Sequence, residues 1–189
     1  MRCFIAVDIN DDIRAAVSDL QDRLKDHIEC KRSDIKWVDP KLMHLTLKFL
    51  GEVPDKDITT VCHIAELVAE GHEPFDLDIE SVGHFGDRSA RVLWAGIGQG
   101  KDTLENMQAD LESRMKQAGW PREARRFSAH LTLCRIRNTR VGVDLIQAYT
   151  PYQNHVFGTC RTHALVVYHS QLTSQGPIYT PVGTYPLPT

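Results

Sequence analysis

Residues 44–48 read His-Leu-Thr-Leu-Lys, and residues 130–134 read His-Leu-Thr-Leu-Cys. Both stretches alternate polar with apolar residues, which is the pattern of a half-buried β-strand. On a strand, the histidine and the threonine point to one face and the two leucines point to the other. The sequence therefore predicts two similar strands, each with its leucines in a core and a His–Thr pair on an open face.

The rest of the chain reads as a single α+β domain over residues 1–189, with a rough internal repeat. Apolar residues at helical spacing predict helices, and alternating or short apolar runs predict strands. We expect helices over 11–28, 56–70, 102–118 and 141–149, and strands over 2–8, 35–38, 43–50, 75–82, 91–97, 129–136, 161–169 and 177–182. Because each half supplies one motif strand, we expect two lobes that bring the motifs together at a central cleft.

Composition excludes several classes of protein. The formal net charge of −3 argues against a general nucleic-acid coat protein, which needs a large basic surplus. No apolar run approaches the roughly 20 residues of a membrane span. The N-terminal stretch already contains an acidic residue at position 8, which indicates a first strand rather than a signal peptide. The 5 cysteines are scattered without a C-x-x-C pair, which favours a reducing cytoplasm over a disulfide framework or a zinc knuckle.

The residue types of the two motifs fit acid–base chemistry on a phosphate. Imidazole titrates near neutrality, so one of His44 and His130 can accept a proton while the other donates one. The hydroxyls of Thr46 and Thr132 can hydrogen-bond non-bridging phosphate oxygens. Two buried strands that merely share a sequence would not explain why the polar face carries His and Thr both times. No other histidine has metal-ligand spacing, so we expect neither a metal nor a cofactor.

With these motifs the chain resembles the 2H phosphoesterase superfamily, which is named for two His-x-Thr motifs. Within it, the chain is similar to the RNA 2′,3′-cyclic phosphodiesterase family, also called LigT-like 2′-5′ RNA ligases. The resemblance covers nearly the whole length, including the stretches 2–7, 43–53, 83–85, 92–94, 127–135, 170–172 and 179–180. The family usually has proline where this chain has Ala129, a departure that removes no functional group.

The resemblance implies a fold of two pseudo-symmetric lobes, each of antiparallel sheet and helices, around a central cleft. It implies hydrolysis of RNA or nucleoside 2′,3′-cyclic phosphates to 2′-phosphates, with possible reversal to 2′-5′ RNA ligation. It assigns His44 as the proton donor to the departing O3′ and His130 as the proton acceptor from water. RNA 3′ ends or nucleotides with a 2′,3′-cyclic phosphate are then the partners, with no membrane and no metal, and we expect a monomer.

Two basic residues follow the motifs. Arg135 matches an arginine that helps to bind phosphate in the family, yet strict alternation would place it on the leucine face unless a bulge or the strand end returns it to the cleft. Lys48 lies in phase with His44 and Thr46, as either a cleft residue or a surface cation. The aromatic residues Trp37, Phe85 and Trp94 are expected in the core, with one aromatic near the cleft able to stack a base.

Two other functions stay open at this point. One is a related 2H enzyme that acts on another cyclic or 2′-5′-linked nucleotide. The other is a non-catalytic RNA-end binding module whose histidines only recognise phosphate. Turnover of a nucleoside 2′,3′-cyclic monophosphate distinguishes an enzyme from a binding module.

Overall fold

Nine strands and four α-helices make up the computed structural model, which describes all 189 residues. The strands are β1 (Arg2–Asp8), β2 (Ile35–Trp37), β3 (His44–Glu52), β4 (Phe75–Phe85), β5 (Val92–Ile97), β6 (Leu131–Ile136), β7 (Val156–Thr162), β8 (Ala164–Thr173) and β9 (Gly176–Pro186). The helices are α1 (Asp11–Asp26), α2 (Ile58–Glu70), α3 (Lys101–Gln117) and α4 (Thr139–Tyr149).

The strands form two antiparallel sheets, and each sheet has two helices packed on one face. The first sheet has the order β3-β1-β8-β9 and is covered by α2 and α3. The second sheet has the order β2-β6-β5-β4-β7 and is covered by α1 and α4. This is the α+β architecture of two similar lobes that the sequence predicts, with one motif strand in each lobe.

The two lobes are interleaved along the chain. The first sheet takes β1 and β3 from the N-terminal part and β8 and β9 from the C-terminal end, while the second sheet takes most of its strands from the middle. As a result, the chain crosses between the lobes several times, and neither lobe is a continuous segment.

The motif leucines lie in the core, as the alternation predicts. Leu45 and Leu47 are 2% and 3% exposed, and Leu131 and Leu133 are fully buried. They pack between their sheet and its helices, which leaves the opposite face of each sheet free for the polar motif residues. None of the helices is long and apolar enough to span a membrane.

One strand, β7, has no counterpart in the sequence-based expectations. Its period-two pattern is broken because β4 pairs Ile79 with Gly158 but the next residue, Glu80, with Val156, which leaves Phe157 as an extra residue. The backbone at Gly158 has a φ of 131°, a conformation that favours glycine. The bulge and the glycine interrupt the alternation of side chains, so local periodicity does not predict this strand.

Candidate active site

The two motif histidines are held in the same way. The Nδ1 of His44 lies 2.9 Å from the carbonyl oxygen of Leu42, and the Nδ1 of His130 lies 2.7 Å from that of Ser128. In both cases the carbonyl oxygen belongs to the residue two positions earlier, and it accepts a hydrogen bond from Nδ1–H. This bond fixes the tautomer and leaves Nε2 as the nitrogen that exchanges a proton.

Each motif strand carries a β-bulge at the same position, three residues after its histidine. On β3, Thr46 pairs with Ala6 and Lys48 pairs with Ile5, so Leu47 is the extra residue. On β6 the extra residue is Leu133, which lies between the pairs Thr132–Trp94 and Cys134–Leu93. The internal repeat therefore extends from the side chains of the motif to the backbone that carries them.

The bulge at Leu133 returns Arg135 to the His–Thr face. Cys134 is fully buried on the core side, whereas Arg135 is exposed and its charge acts on the His130 imidazole. Of the two placements that the sequence left open, the structure shows the bulged one. Arg135 thus lies on the same face of its sheet as His130 and Thr132.

The equivalent bulge has the opposite effect on Lys48. The in-phase placement of Lys48 with His44 and Thr46 is wrong, because the extra residue Leu47 turns Lys48 to the core side. There its Nζ donates to both carboxylate oxygens of Glu112 at 2.9 Å and to the carbonyl oxygen of Pro121 at 3.0 Å. Lys48 is therefore a buried structural cation and lies outside the cleft.

Aromatic rings surround His44 in the first lobe. The imidazole stacks on the Phe4 ring at a centroid distance of 4.6 Å, and the edge of Tyr179 approaches it at 5.3 Å. Tyr168 also stacks on Phe4, at a centroid distance of 5.2 Å, and its hydroxyl donates to the carboxylate of Asp8 at 2.8 Å. This packing limits the rotation of the His44 ring.

The second lobe also has aromatic side chains on its motif face, and these correct two expectations. Phe85 meets the His130 ring edge-on at 4.9 Å, and Trp94 pairs with Thr132 in the sheet. Neither Phe85 nor Trp94 packs against the hydrophobic core, whereas Trp37 does. From the sequence alone, a tryptophan on a strand is expected in the core. The pairing register of β5 with β6 shows that Trp94 instead lies on the motif face.

Charged neighbours distinguish the two histidines. Burial lowers the pKa of both imidazoles. The carboxylate of Asp8, which is paired with His44 in the β1–β3 ladder, acts to raise the pKa of His44, and the guanidinium of Arg14 acts in the opposite direction. The guanidinium of Arg135 acts to lower the pKa of His130. The motifs repeat, but the charges beside them do not.

A cavity between the two sheets adjoins Phe4 and Tyr179, the rings that pack against His44, but His44 itself does not line it. This cavity of about 280 Å³ is lined by Arg2, Phe4 and Tyr179 of the first sheet and by Lys36 of the second. Burial raises the pKa of Tyr179, and the positive charges of Arg135 and Arg2 oppose that shift. Basic side chains from both lobes thus meet beside the aromatic cluster, which suits an anionic ligand.

No group of three or more His, Cys, Asp or Glu side chains is arranged to hold a metal ion. The acid–base groups on the motif faces of the two sheets are the two imidazoles, with a threonine on each face and Arg135 on the second. Such a set can donate and accept protons and can stabilise negative charge.

A family model described as "LigT like Phosphoesterase" matches residues 7–94 and 97–179. The chain belongs to this LigT-like phosphoesterase family. The match covers both motif strands and confirms the resemblance seen in the sequence and the prediction of a phosphodiesterase-type enzyme. Which residues carry out catalysis stays a prediction at this point.

Curated relatives match nearly the whole chain. A protein of Methanothermobacter thermautotrophicus named RNA 2′,3′-cyclic phosphodiesterase is 31% identical over 99% of this chain and 99% of its own length. A protein of the same name from Archaeoglobus fulgidus is 32% identical over 95% of this chain and 96% of its own length.

Solved structures confirm the fold. A Thermus thermophilus protein superposes with a TM-score of 0.81 at 24% identity, covering 99% of this chain and 98% of its own. The E. coli LigT structure complexed with 3′-AMP gives a TM-score of 0.78 at 24% identity, covering 100% of this chain and 98% of its own. The two-lobed α+β prediction is therefore correct.

Proposed function

We propose that this chain is a metal-independent phosphodiesterase that opens 2′,3′-cyclic phosphates of RNA 3′ ends or nucleosides and leaves a 2′-phosphate. The observation that carries the proposal is the repeated motif: a histidine held through Nδ1, a threonine on the same face and a bulge after it, once in each sheet. The substrate class is taken from the names of the curated relatives.

In this proposal the two histidines act on opposite sides of the phosphorus. His130 accepts a proton from the attacking water through Nε2, and His44 donates a proton to the departing O3′. Burial lowers the pKa of both imidazoles, and a guanidinium adds to that shift at each, Arg14 at His44 and Arg135 at His130. Only His44 also has a carboxylate beside it, that of Asp8, which favours the protonated form that a proton donor needs.

Three further side chains bind the phosphate. Thr46 and Thr132 each donate a hydroxyl hydrogen bond to a non-bridging oxygen, one from each lobe. Arg135 offers a guanidinium, whose hydrogen bonds to a phosphate are charge-assisted. Negative charge that develops on the oxygens during attack is then balanced from both sheets, without a metal or a cofactor.

The test is turnover of cytidine 2′,3′-cyclic monophosphate by the purified chain in excess EDTA. We expect hydrolysis to continue under chelation and to fall in His130→Ala. Loss of turnover with EDTA and its return on adding a divalent ion would contradict the proposed mechanism. Tight binding without any turnover would favour an RNA-end binding module instead.

A further inference from the structure

Two cations on the motif faces have no role in the proposed reaction. Lys36 pairs with Arg135 in the β2–β6 ladder, and paired residues of antiparallel strands project from the same face. Lys36 therefore lies on the His–Thr face of the second sheet, one strand out from β6. In the first sheet, Arg2 lies on the same face as Phe4, because the two residues are two positions apart on β1. Both cationic side chains line the cavity between the sheets.

Neither cation is neutralised within the protein. Arg2 and Lys36 are exposed, and neither side chain takes part in an ion pair. Glu52 is the ladder partner of Arg2, yet its carboxylate lies 3.3 Å from the N-terminal ammonium group instead. No Asp or Glu lines the cavity. In a chain with a formal net charge of −3, this cavity therefore attracts a negatively charged group.

The cavity begins one aromatic ring away from His44. Phe4 and Tyr179 line it, and the centroids of their rings lie 4.6 and 5.3 Å from that of the His44 ring. Arg2 lies beyond Phe4, at a distance of roughly 7 Å along an extended strand. The cavity can thus take a group that neighbours the one protonated by His44, while the reacting phosphate lies outside it.

The chemistry of RNA places one phosphate in this position. In the proposed function O3′ leaves with a proton from His44, so the ribose that carries O3′ lies on the His44 side. In an RNA, the 5′-carbon of this ribose carries the phosphodiester that joins the terminal nucleotide to the one before it, which is called the linking phosphate below. The linking phosphate is negatively charged and only a few covalent bonds from O3′. A free nucleoside 2′,3′-cyclic phosphate has a hydroxyl there instead.

We propose that Arg2 and Lys36 bind the linking phosphate, so that this chain acts on RNA ends in preference to free nucleoside cyclic phosphates. The inference rests on the proposed function and adds a second phosphate site to it. Arg135 and the two threonines bind the cyclic phosphate, and one cation from each sheet binds its 5′ neighbour through charge-assisted hydrogen bonds. The cavity of about 280 Å³ is close to the lower end of the roughly 300–1,000 Å³ of small-molecule sites, which suits a phosphate with part of a sugar.

The experiment compares three substrates that end in the same cytidine 2′,3′-cyclic phosphate. They are the mononucleotide, the dinucleotide with a natural linkage, and the dinucleotide with a methylphosphonate linkage. The methylphosphonate keeps the preceding nucleoside but removes the charge of the linking phosphate. Chromatography of the products gives kcat/KM for each substrate. We expect the natural dinucleotide to have about a tenfold higher kcat/KM than the other two, the effect of one charge-assisted hydrogen bond.

Charge-removing variants assign this effect to residues. Arg2→Gln and Lys36→Gln should each lower the ratio of kcat/KM between the natural dinucleotide and the methylphosphonate towards one. Because both substrates have the same terminus, the ratio cancels any effect of a variant on the cyclic phosphate or on catalysis. Lys56→Gln is the matched control, since it removes a positive charge at an exposed lysine that does not line the cavity. It should keep the ratio of the unmodified protein.

Each other result contradicts a stated part of the proposal. Equal kcat/KM for the two dinucleotides overturns the second phosphate site and leaves the hydrolase intact. A ratio unchanged in Arg2→Gln or Lys36→Gln removes that residue from the site, and a ratio that falls as far in Lys56→Gln overturns the site, because the effect is then not local. A mononucleotide as good as the natural dinucleotide overturns the preference for RNA. No turnover of any of the three substrates overturns the proposed function and this inference together.

Discussion

Replacing Lys48 with methionine should destabilise the protein strongly. The Lys48 side chain is 4% exposed and that of Glu112 is 13% exposed, so the pair is shielded from solvent. Lys48→Met removes three hydrogen bonds of Nζ and leaves the Glu112 carboxylate buried without its cation. Breaking a buried ion pair in this way costs about 3–5 kcal/mol, which is a large part of the total stability of a typical domain.

Urea denaturation at neutral pH measures this loss, and the double variant Lys48→Met/Glu112→Leu provides the control. Removing both charges leaves no buried ion, and exchanging a buried pair for apolar side chains is often close to neutral. Pro121 and Glu123, which also bond to the pair, are exposed and can turn to water. We expect the double variant to unfold within about 1–2 kcal/mol of the unmodified protein. A single variant within about 0.5 kcal/mol of it would refute the buried pair.

Three further predictions concern catalysis. His44→Ala and His130→Ala should each lower kcat for a 2′,3′-cyclic nucleotide by about 10²–10⁴-fold with an unchanged circular dichroism spectrum, and near-normal turnover in either would rule out its assignment. Thr46→Val and Thr132→Val should each cost about 0.5–1.5 kcal/mol in kcat/KM, or up to about 3 if the bonded oxygen is charged, and an unchanged kcat/KM would remove that threonine from the phosphate site. Asp8→Asn should move the high-pH limb of the rate profile to lower pH, because it removes the carboxylate that favours protonated His44; an unmoved or upward-moving limb would contradict His44 as the acid.

Local periodicity in the sequence predicted the motif strands, the burial of their leucines and the helices, because these features depend only on residues that are neighbours in the chain. The alternation in 44–47 and 130–133 gave the strands and the burial of their leucines, because side chains alternate wherever a chain is extended. The same argument located all four helices to within a few residues of their ends. These features follow from the local sequence and need no knowledge of which strands pair.

The sequence could not predict the side-chain orientations that depend on how distant strands pair. The bulges at Leu47 and Leu133 arise in the ladders with β1 and β5, and they turn Lys48 to the core side and Arg135 to the His–Thr face of its sheet. Trp94 lies on the motif face because it pairs with Thr132 across the β5–β6 ladder. Asp8 is an ordinary end of a strand in the sequence, and it gains its place beside His44 only when β1 pairs with β3.

The regiochemistry of hydrolysis distinguishes the two possible assignments of the histidine roles. The purified chain is incubated with cytidine 2′,3′-cyclic monophosphate in EDTA, and phosphorus NMR resolves the two possible monophosphates. With His44 as the donor to O3′ and His130 as the acceptor from water, we expect cytidine 2′-phosphate as the product. Predominant cytidine 3′-phosphate would mean that the other P–O bond breaks and that the histidine roles are assigned the wrong way round.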